Sequence, residues 1–278
     1  MFIYNICTGS KGNATLIFNE QNECIMVDFG ISKLRVTQAL RELNYSFDDI
    51  KALFVTHEHT DHISGLPNFA PEKIYTSFKL NGSHLATYFK TRKNVSSDYI
   101  LNLMNNSHVI DKDNTYKIGN FTIETISSNH DATNPLSYII YADNQKLVLI
   151  TDTGYIQEKV MYKFKDADFI MIESNHDEQM LINSGRPFPL IKRILSSEGH
   201  LSNSQCGYYL ADLIAEKTKE VMFIHLSQDC NTPDCCFNTN MEILNNQLGY
   251  IPQVTYKISS QTEPTTMGIK PEYLKHHE

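Results

Sequence analysis

Residues 54–66 read FVTHEHTDHISGL. Between His57 and His62 stand three histidines, one glutamate and one aspartate. Imidazole nitrogens and carboxylate oxygens are the donors that Zn²⁺ and related divalent metals take from proteins. The apolar stretch Lys51–Thr56 reads as a strand that leads straight into the histidines. On a loop at the end of a buried strand, His57, His59, Asp61 and His62 can converge on one point. A solvated turn has no need of this spacing. Four donors so close together cannot complete two coordination spheres, so the remaining donors must come from later strand ends.

Three residues have that setting. His130 follows the expected strand Phe121–Ser127, Asp152 follows Leu147–Thr151, and His225 ends Val221–Ile224. Strand-to-loop junctions are where layered α/β proteins carry site residues. Taken singly, a strand-end aspartate is usually a turn residue and a lone histidine a surface group. Together with His57–His62 they form one candidate metal set.

The elements that must position these residues are legible in outline. Strands are expected at Phe2–Cys7, Thr15–Asn19 and Cys24–Asp28, then an amphipathic helix Ser32–Leu43 with Ser32 as N-cap. After Lys51–Thr56 come a strand at Ile74–Thr76, a helix at Phe78–Phe89 and a polar segment, 90–107, with no clear element. Strands follow at His108–Ile110, Thr115–Ile118, Phe121–Ser127, Leu136–Tyr141 and Lys146–Thr151, the last two joined at Asp143-Asn144. Helix Ile156–Phe164 and strand Asp168–Glu173 precede helices at Pro187–Leu195 and Asn203–Lys217. Strand Val221–His225, a helix near Asn238–Asn245 and strand Gln253–Ile258 complete the order, and the tail from Ser259 reads as loosely ordered. No linker, repeat or composition break divides the chain, so one α/β domain over residues 1–278 is expected.

Hydrophobic residues make up 41% of the 278, enough for a sizeable core, and the net charge is −8. Proteins that coat nucleic acid through bulk charge are basic, so that mode is excluded, although a local basic patch is not. The N-terminal residues lack a signal-peptide pattern, and no apolar run approaches a membrane span. A soluble, cytoplasmic protein is expected. The six cysteines are irregularly spaced, which fits reduced thiols. Cys230, Cys235 and Cys236 lack CxxC spacing and read as thiols in or near a helix.

The pattern THEHTDH, then His130, Asp152 in TDTG and His225, resembles the five motifs of the metallo-β-lactamase superfamily, in order and over nearly the whole chain. The resemblance implies a four-layer αββα sandwich of two mixed sheets flanked by helices, with the site at one edge between the sheets. It implies two divalent ions. One would take His57, His59 and His130, the other Asp61, His62 and His225, and Asp152 would bridge them. Zn²⁺ fits these donors best, and Mn²⁺ or iron suits them too. Two close cations lower the pKa of a shared water and supply hydroxide at neutral pH. Asp61 would orient it as well as ligate. Glu58, between the histidines, reads as a supporting residue.

The superfamily hosts several hydrolases. Zinc β-lactamases place a cysteine where Asp152 stands, so antibiotic hydrolysis is not expected. The chain has no length for an added flavin domain, and the 73 positions from Asp152 to His225 leave none for a large inserted cap. A glyoxalase-II-like thioesterase or a lactonase would carry the same donors. A non-catalytic metal-bound module is a further alternative. Three quieter stretches bear on the choice: Thr8–Thr15 with Ser10 and Asn13, Glu173–Asp177 with Asn175, and Gly199–Asn203 with His200, Ser202 and Asn203. The first reads equally as an anion cradle of backbone N–H groups or as a tight turn. Ser202 reads equally as a helix cap or as a substrate contact. GSKGNAT, ESNHD and GHLSN resemble the bacterial YycJ/WalJ-type branch of the superfamily, which implies a phosphodiesterase acting on DNA as an exonuclease. In that reading Ser10, Asn13, Asn175, Ser202 and Asn203 bind substrate, and His200 contacts the scissile phosphate or protonates the leaving oxygen. Local candidates for a phosphate track are Lys192-Arg193, Lys163, Lys165 and Arg92-Lys93, each of which reads more readily as an ordinary solvated charge. The tail pair His276-His277 is not expected to ligate.

Overall fold

The computed structural model describes residues 1–79, 83–92 and 95–274. In chain order, β1 (Phe2–Cys7), β2 (Ala14–Phe18) and β3 (Cys24–Val27) precede α1 (Lys33–Glu42) and β4 (Ile50–Val55). Then come α2 (Thr60–Ile63), β5 (Ile74–Thr76), α3 (Ser83–Arg92), α4 (Ser97–Asn106) and β6 (His108–Val109). The second half holds β7 (Thr115–Ile118), β8 (Phe121–Ser127), β9 (Leu136–Ala142), β10 (Gln145–Ile150), α5 (Glu158–Phe164) and β11 (Phe169–Glu173). It ends with α6 (Glu178–Ile182), α7 (Phe188–Ile194), α8 (Asn203–Leu213), β12 (Glu220–Ile224), α9 (Pro233–Leu248), β13 (Thr255–Ile258) and β14 (Thr265–Gly268).

Among the described residues the strands form two seven-stranded sheets, ordered β14-β1-β2-β3-β4-β5-β6 and β13-β12-β11-β10-β9-β8-β7. Each is antiparallel at one side and parallel at the other. Side chains alternate across a strand, so each sheet presents two apolar faces, and three cores result. Ile3, Ile17, Val27 and Phe54 of the first sheet meet Ile140, Leu149, Met171 and Ile224 of the second between the sheets. The opposite face of the first sheet, with Leu16, Met26 and Leu53, packs on Leu40, Phe89 and Leu103 of α1, α3 and α4. Val148, Ile170 and Phe223 on the outer face of the second pack on Phe164, Leu210 and Leu244 of α5, α8 and α9. This is a four-layer αββα sandwich.

Local chemistry sets the boundaries. Ser32, Ser96 and Thr232 each cap a helix by accepting an N–H from the first turn. Gly249, at φ +76°, ends α9 in the left-handed conformation that glycine takes without strain. Three expectations change. The helix expected at Phe78–Phe89 is α3 over Ser83–Arg92, and Phe78 is buried in the bend before it. Segment 90–107 holds α4, whose buried Ile100 and Leu103 face the first core with Tyr99 and Met104 packed beside them. The tail is not loose: β14 pairs antiparallel with β1, and Met267 is fully buried between the sheets. Its other residues are polar or glycine, so no apolar run marks it. His276-His277 lie outside the described residues.

Candidate metal centre

Strand direction gathers the donors. The parallel strands β3 and β4 end at Asp28 and His57, and the co-directional β8, β10, β11 and β12 end at His130, Asp152, Glu173 and His225. Asp28, Asp152 and His225 all have φ between +48° and +59°. L-residues adopt this conformation rarely, and it concentrates at functional sites. Gly30 lets the next loop close in: a Cβ there would lie 1.5 Å from the Asp61 carbonyl oxygen. The loop that carries Asp61 therefore rests on a backbone that tolerates no side chain.

Donor atoms that lie within 4.8 Å of one another form four overlapping groups. They are His57/His59/His130, Asp61/His62/His225, His57/His62/Asp152 and Asp152/Glu173/His200/His225. The structure thus brings together all seven side chains singled out as metal donors, and Asp152 lies between them, its carboxylate 3.3 Å from His62 Nε2, 3.8 Å from His130 Nε2 and 3.6 Å from His225 Nε2. Outward hydrogen bonds set the rings. His130 Nδ1 donates to the Gly199 carbonyl at 3.0 Å, His62 Nδ1 faces Asp28 Oδ2 at 2.7 Å, and His225 Nδ1 faces Glu173 Oε1 at 2.9 Å. Each of these bonds leaves Nε2 for the centre. His57 Nδ1 lies 3.0 Å from the Thr56 hydroxyl. The Nε2 atoms of His57 and His225 are buried and have no hydrogen-bond partner. As a rule buried polar atoms in proteins are satisfied, and these two orphaned nitrogens lie among the carboxylates of Asp61 and Asp152, an arrangement that fits a cation.

The charges agree. Burial opposes ionisation of Asp152, but His225 and His62 outweigh it and hold the carboxyl well below its usual range. Asp61 is likewise held low: burial pushes it up, and the charge of His62 with hydrogen bonds from His225 and His62 together outweighs it. Burial pulls His225 down, yet Asp152, Asp61 and Glu173 raise it to about 10. For His62, Asp28, Asp152 and Asp61 outweigh burial in the same way. His57 and His130 are lowered, chiefly by burial. The cluster is built for positive charge, and a metal would displace protons from His62 and His225.

The family description "Beta-lactamase superfamily domain" matches residues 24–226. The chain belongs to the β-lactamase superfamily. Its fold is the metallo-β-lactamase fold: the metallo-β-lactamase fold protein YhfI from Bacillus subtilis superposes with a TM-score of 0.64 at 14% identity, covering 96% of this chain and 99% of that one, and Zn²⁺-bound PqqB from Methylobacterium extorquens with a TM-score of 0.66 at 12% identity, covering 97% of this chain and all of that one. Two curated relatives are similar over most of their length. Exodeoxyribonuclease YycJ of Bacillus anthracis is 30% identical over 81% of this chain and 82% of its own. Exodeoxyribonuclease WalJ of Streptococcus pneumoniae is 31% identical over 86% of both. By family and donor set the chain is a metal-dependent hydrolase.

Within this metallo-β-lactamase fold a cleft of about 540 Å³ opens beside the donors, lined by Ser10, His59, Asp61, Asp152, His200 and His225 among others. Ser10 and His200 therefore stand where substrate would meet them. The other expected substrate contacts do not line the cleft. Asn13 points its amide at Asp61 and His62, while its Oδ1 accepts from Thr8 and Gly9. Asn175 donates to the His225 carbonyl at 2.8 Å. Ser202 is buried as the N-cap of α8, and its hydroxyl donates to Glu178. Asn203 is buried in an amide network with Ser174 and Asn231. All four position the scaffold. In the Thr8–Thr15 loop the N–H groups of Thr8, Gly9, Gly12 and Asn13 donate to Ser260, Asn13, Gly9 and Asp61, so these four are not offered to an anion. Glu58 accepts from the Thr133 N–H and borders the cleft.

Two residues escaped sequence reasoning as partners of the donors: Asp28 and Glu173. Glu173 is fully buried and accepts from His200 Nδ1 at 2.7 Å, His225 Nδ1 at 2.9 Å and the Thr153 N–H at 3.0 Å. Burial opposes its charge, His200 and His225 outweigh it, and its pKa falls to about 2. Both residues stand where an apolar strand ends, the signal that marked Asp152. The metal-competent groups among the described residues contain no cysteine, and all six thiols are free.

Proposed function

We propose that the protein is a dinuclear metal-dependent phosphodiesterase that removes nucleotides from DNA ends. The observation that carries this reading is the position of His200, held by Glu173 at the cleft edge beside Asp61, Asp152 and His225. Two relatives named as exodeoxyribonucleases support the choice of DNA. His57, His59 and His130 would hold one ion, Asp61, His62 and His225 the other, and Asp152 both. Zn²⁺ suits these donors best, and Mn²⁺ or iron fits them as well. Such a pair, when bound, lowers the pKa of a shared water, supplies hydroxide near neutral pH and offsets charge on the phosphate.

The chain's own residues do the rest. Asp61, partly exposed to the cleft, orients the attacking oxygen. His200 has Nδ1–H committed to Glu173, so Nε2 meets the scissile phosphate; when the ring carries a second proton there, Nε2 gives it to the leaving oxygen and the ring returns to its neutral form. Asn13 and Asn175 keep Asp61, His62 and His225 in place. No helix among the described residues is long and apolar enough to cross a membrane. Six free thiols suit a reducing compartment, the cytoplasm in this reading.

End-labelled DNA incubated with the purified protein and Mn²⁺ or Zn²⁺ tests the proposal. Stepwise release of mononucleotides is expected. His59→Ala should abolish it, and His200→Ala should lower kcat by roughly 10²–10⁴. Absence of metal-dependent release, or a His59→Ala variant as active as the parent, would overturn it. Turnover of thioesters or lactones unaffected by His200→Ala would point to the small-molecule hydrolase instead.

A further inference from the structure

The cleft has a second wall that the chemistry leaves unused. Among its described lining residues, Leu85 and Tyr88 are the only aliphatic or phenolic side chains, and both come from α3. They lie three residues apart, on one face of the helix. Both are half-buried and pack against the first-sheet core, next to the fully buried Phe89. The helix is anchored around them. Phe89 also accepts the Val95 N–H at 3.1 Å, and Tyr99 of α4 donates to the Phe69 carbonyl at 2.6 Å, just beyond the histidine motif. The edge of α3's apolar face therefore borders the same cleft as the polar donors.

A phosphodiester placed on those donors brings a sugar and a base with it. The cleft volume, about 540 Å³, lies within the roughly 300–1,000 Å³ typical of small-ligand sites. That is room for about one nucleoside. A phenol ring offers any base a π-face, so it binds without reading sequence. We propose that Tyr88, backed by Leu85, forms a base-binding subsite that stacks the nucleobase of the terminal nucleotide at the scissile phosphate. The inference rests on the nuclease reading and adds the group that binds that base.

Two oligonucleotides that differ only in the terminal residue test it, one ending in thymidine and one in an abasic tetrahydrofuran unit. The holoenzyme should prefer the thymidine end by about tenfold in kcat/KM, the size of one base–aromatic stack. Tyr88→Ala should bring that ratio to about one. Tyr88→Leu, which keeps the apolar packing, should do the same, and Tyr88→Phe should preserve the preference. If Tyr88→Leu and Tyr88→Ala still cleave DNA and keep the parental ratio, the subsite is wrong and the nuclease reading stands. If the parent enzyme releases nucleotides from neither oligonucleotide, the nuclease reading fails and the subsite falls with it.

Discussion

One carboxylate holds two histidines of different function. Glu173 Oε1 accepts from both His200 and His225, whose rings stack with centroids 5.3 Å apart. A glutamine there has the same shape but no charge, and its amide nitrogen would oppose the N–H groups of Thr153 and Leu201, which now face Oε2. Partners of this kind are worth 10–100-fold in metal affinity. Glu173→Gln should weaken metal binding by roughly that factor, read by chelator competition, and lower kcat further through His200. A second buried histidine has no part in the chemistry. His176 is fully buried with Nε2 unpartnered, and burial lowers its pKa to about 4. Its folded pKa lies below the unfolded value of about 6.5. The stability it contributes is therefore fully present above pH 6.5 and is lost as pH falls towards 4. That difference corresponds to about 3 kcal/mol at most. Urea unfolding of His176→Gln across this window should show a correspondingly flatter acid limb, and a limb as steep as the parent's would refute the assignment.

At the scale of elements, legibility followed the density of the signal. The strands that feed the centre were readable because each is an apolar, β-branched run ending abruptly in a polar residue. Asp28 and Glu173 end such runs too, but a lone carboxylate after a strand has a commoner use as a turn residue, and only the fold shows the ring each one faces. β14 was hidden because a four-residue edge strand buries one apolar side chain and leaves no periodic pattern. Ser202 was ambiguous for a physical reason. A hydroxyl before a helix serves a cap and a ligand equally well, and burial alone decides between them. The structure gives it a capping box with Gln205 and no place in the cleft. Ser202→Ala should therefore cost about 1 kcal/mol in stability with kcat on DNA unchanged. A large fall in kcat at unchanged stability would return Ser202 to the substrate.

The whole molecule sets how DNA can be held. With a net charge of −8, long-range attraction for a polyanion is absent, and the local cations are few or already engaged. Arg193 borders the cleft but forks both nitrogens onto Asp131, and Lys163 faces Asp113 at 3.4 Å. Arg92's side chain and Lys93 lie outside the described residues. Lys192 on α7 and Lys165 are exposed, and neither lines the cleft. Among its described lining residues the cleft has one Lys or Arg, Arg193, and it is paired with Asp131. In the nuclease reading, affinity for DNA would then come chiefly from the terminal nucleotide in the cleft and from bound ions, with little from flanking phosphates. Each phosphate neutralised on a single strand contributes about −0.7 to the slope of log K against log salt. A nuclease that tracks six phosphates would show a slope near −4 by the same rule. The expected slope here is about −1 to −2, measured as KM or as competitive binding over a salt series. Lengthening the oligonucleotide beyond the first few residues should leave KM almost unchanged. A steep slope, or a KM that keeps falling with length, would reveal a phosphate track outside the cleft and shift recognition from the end of the strand to its backbone.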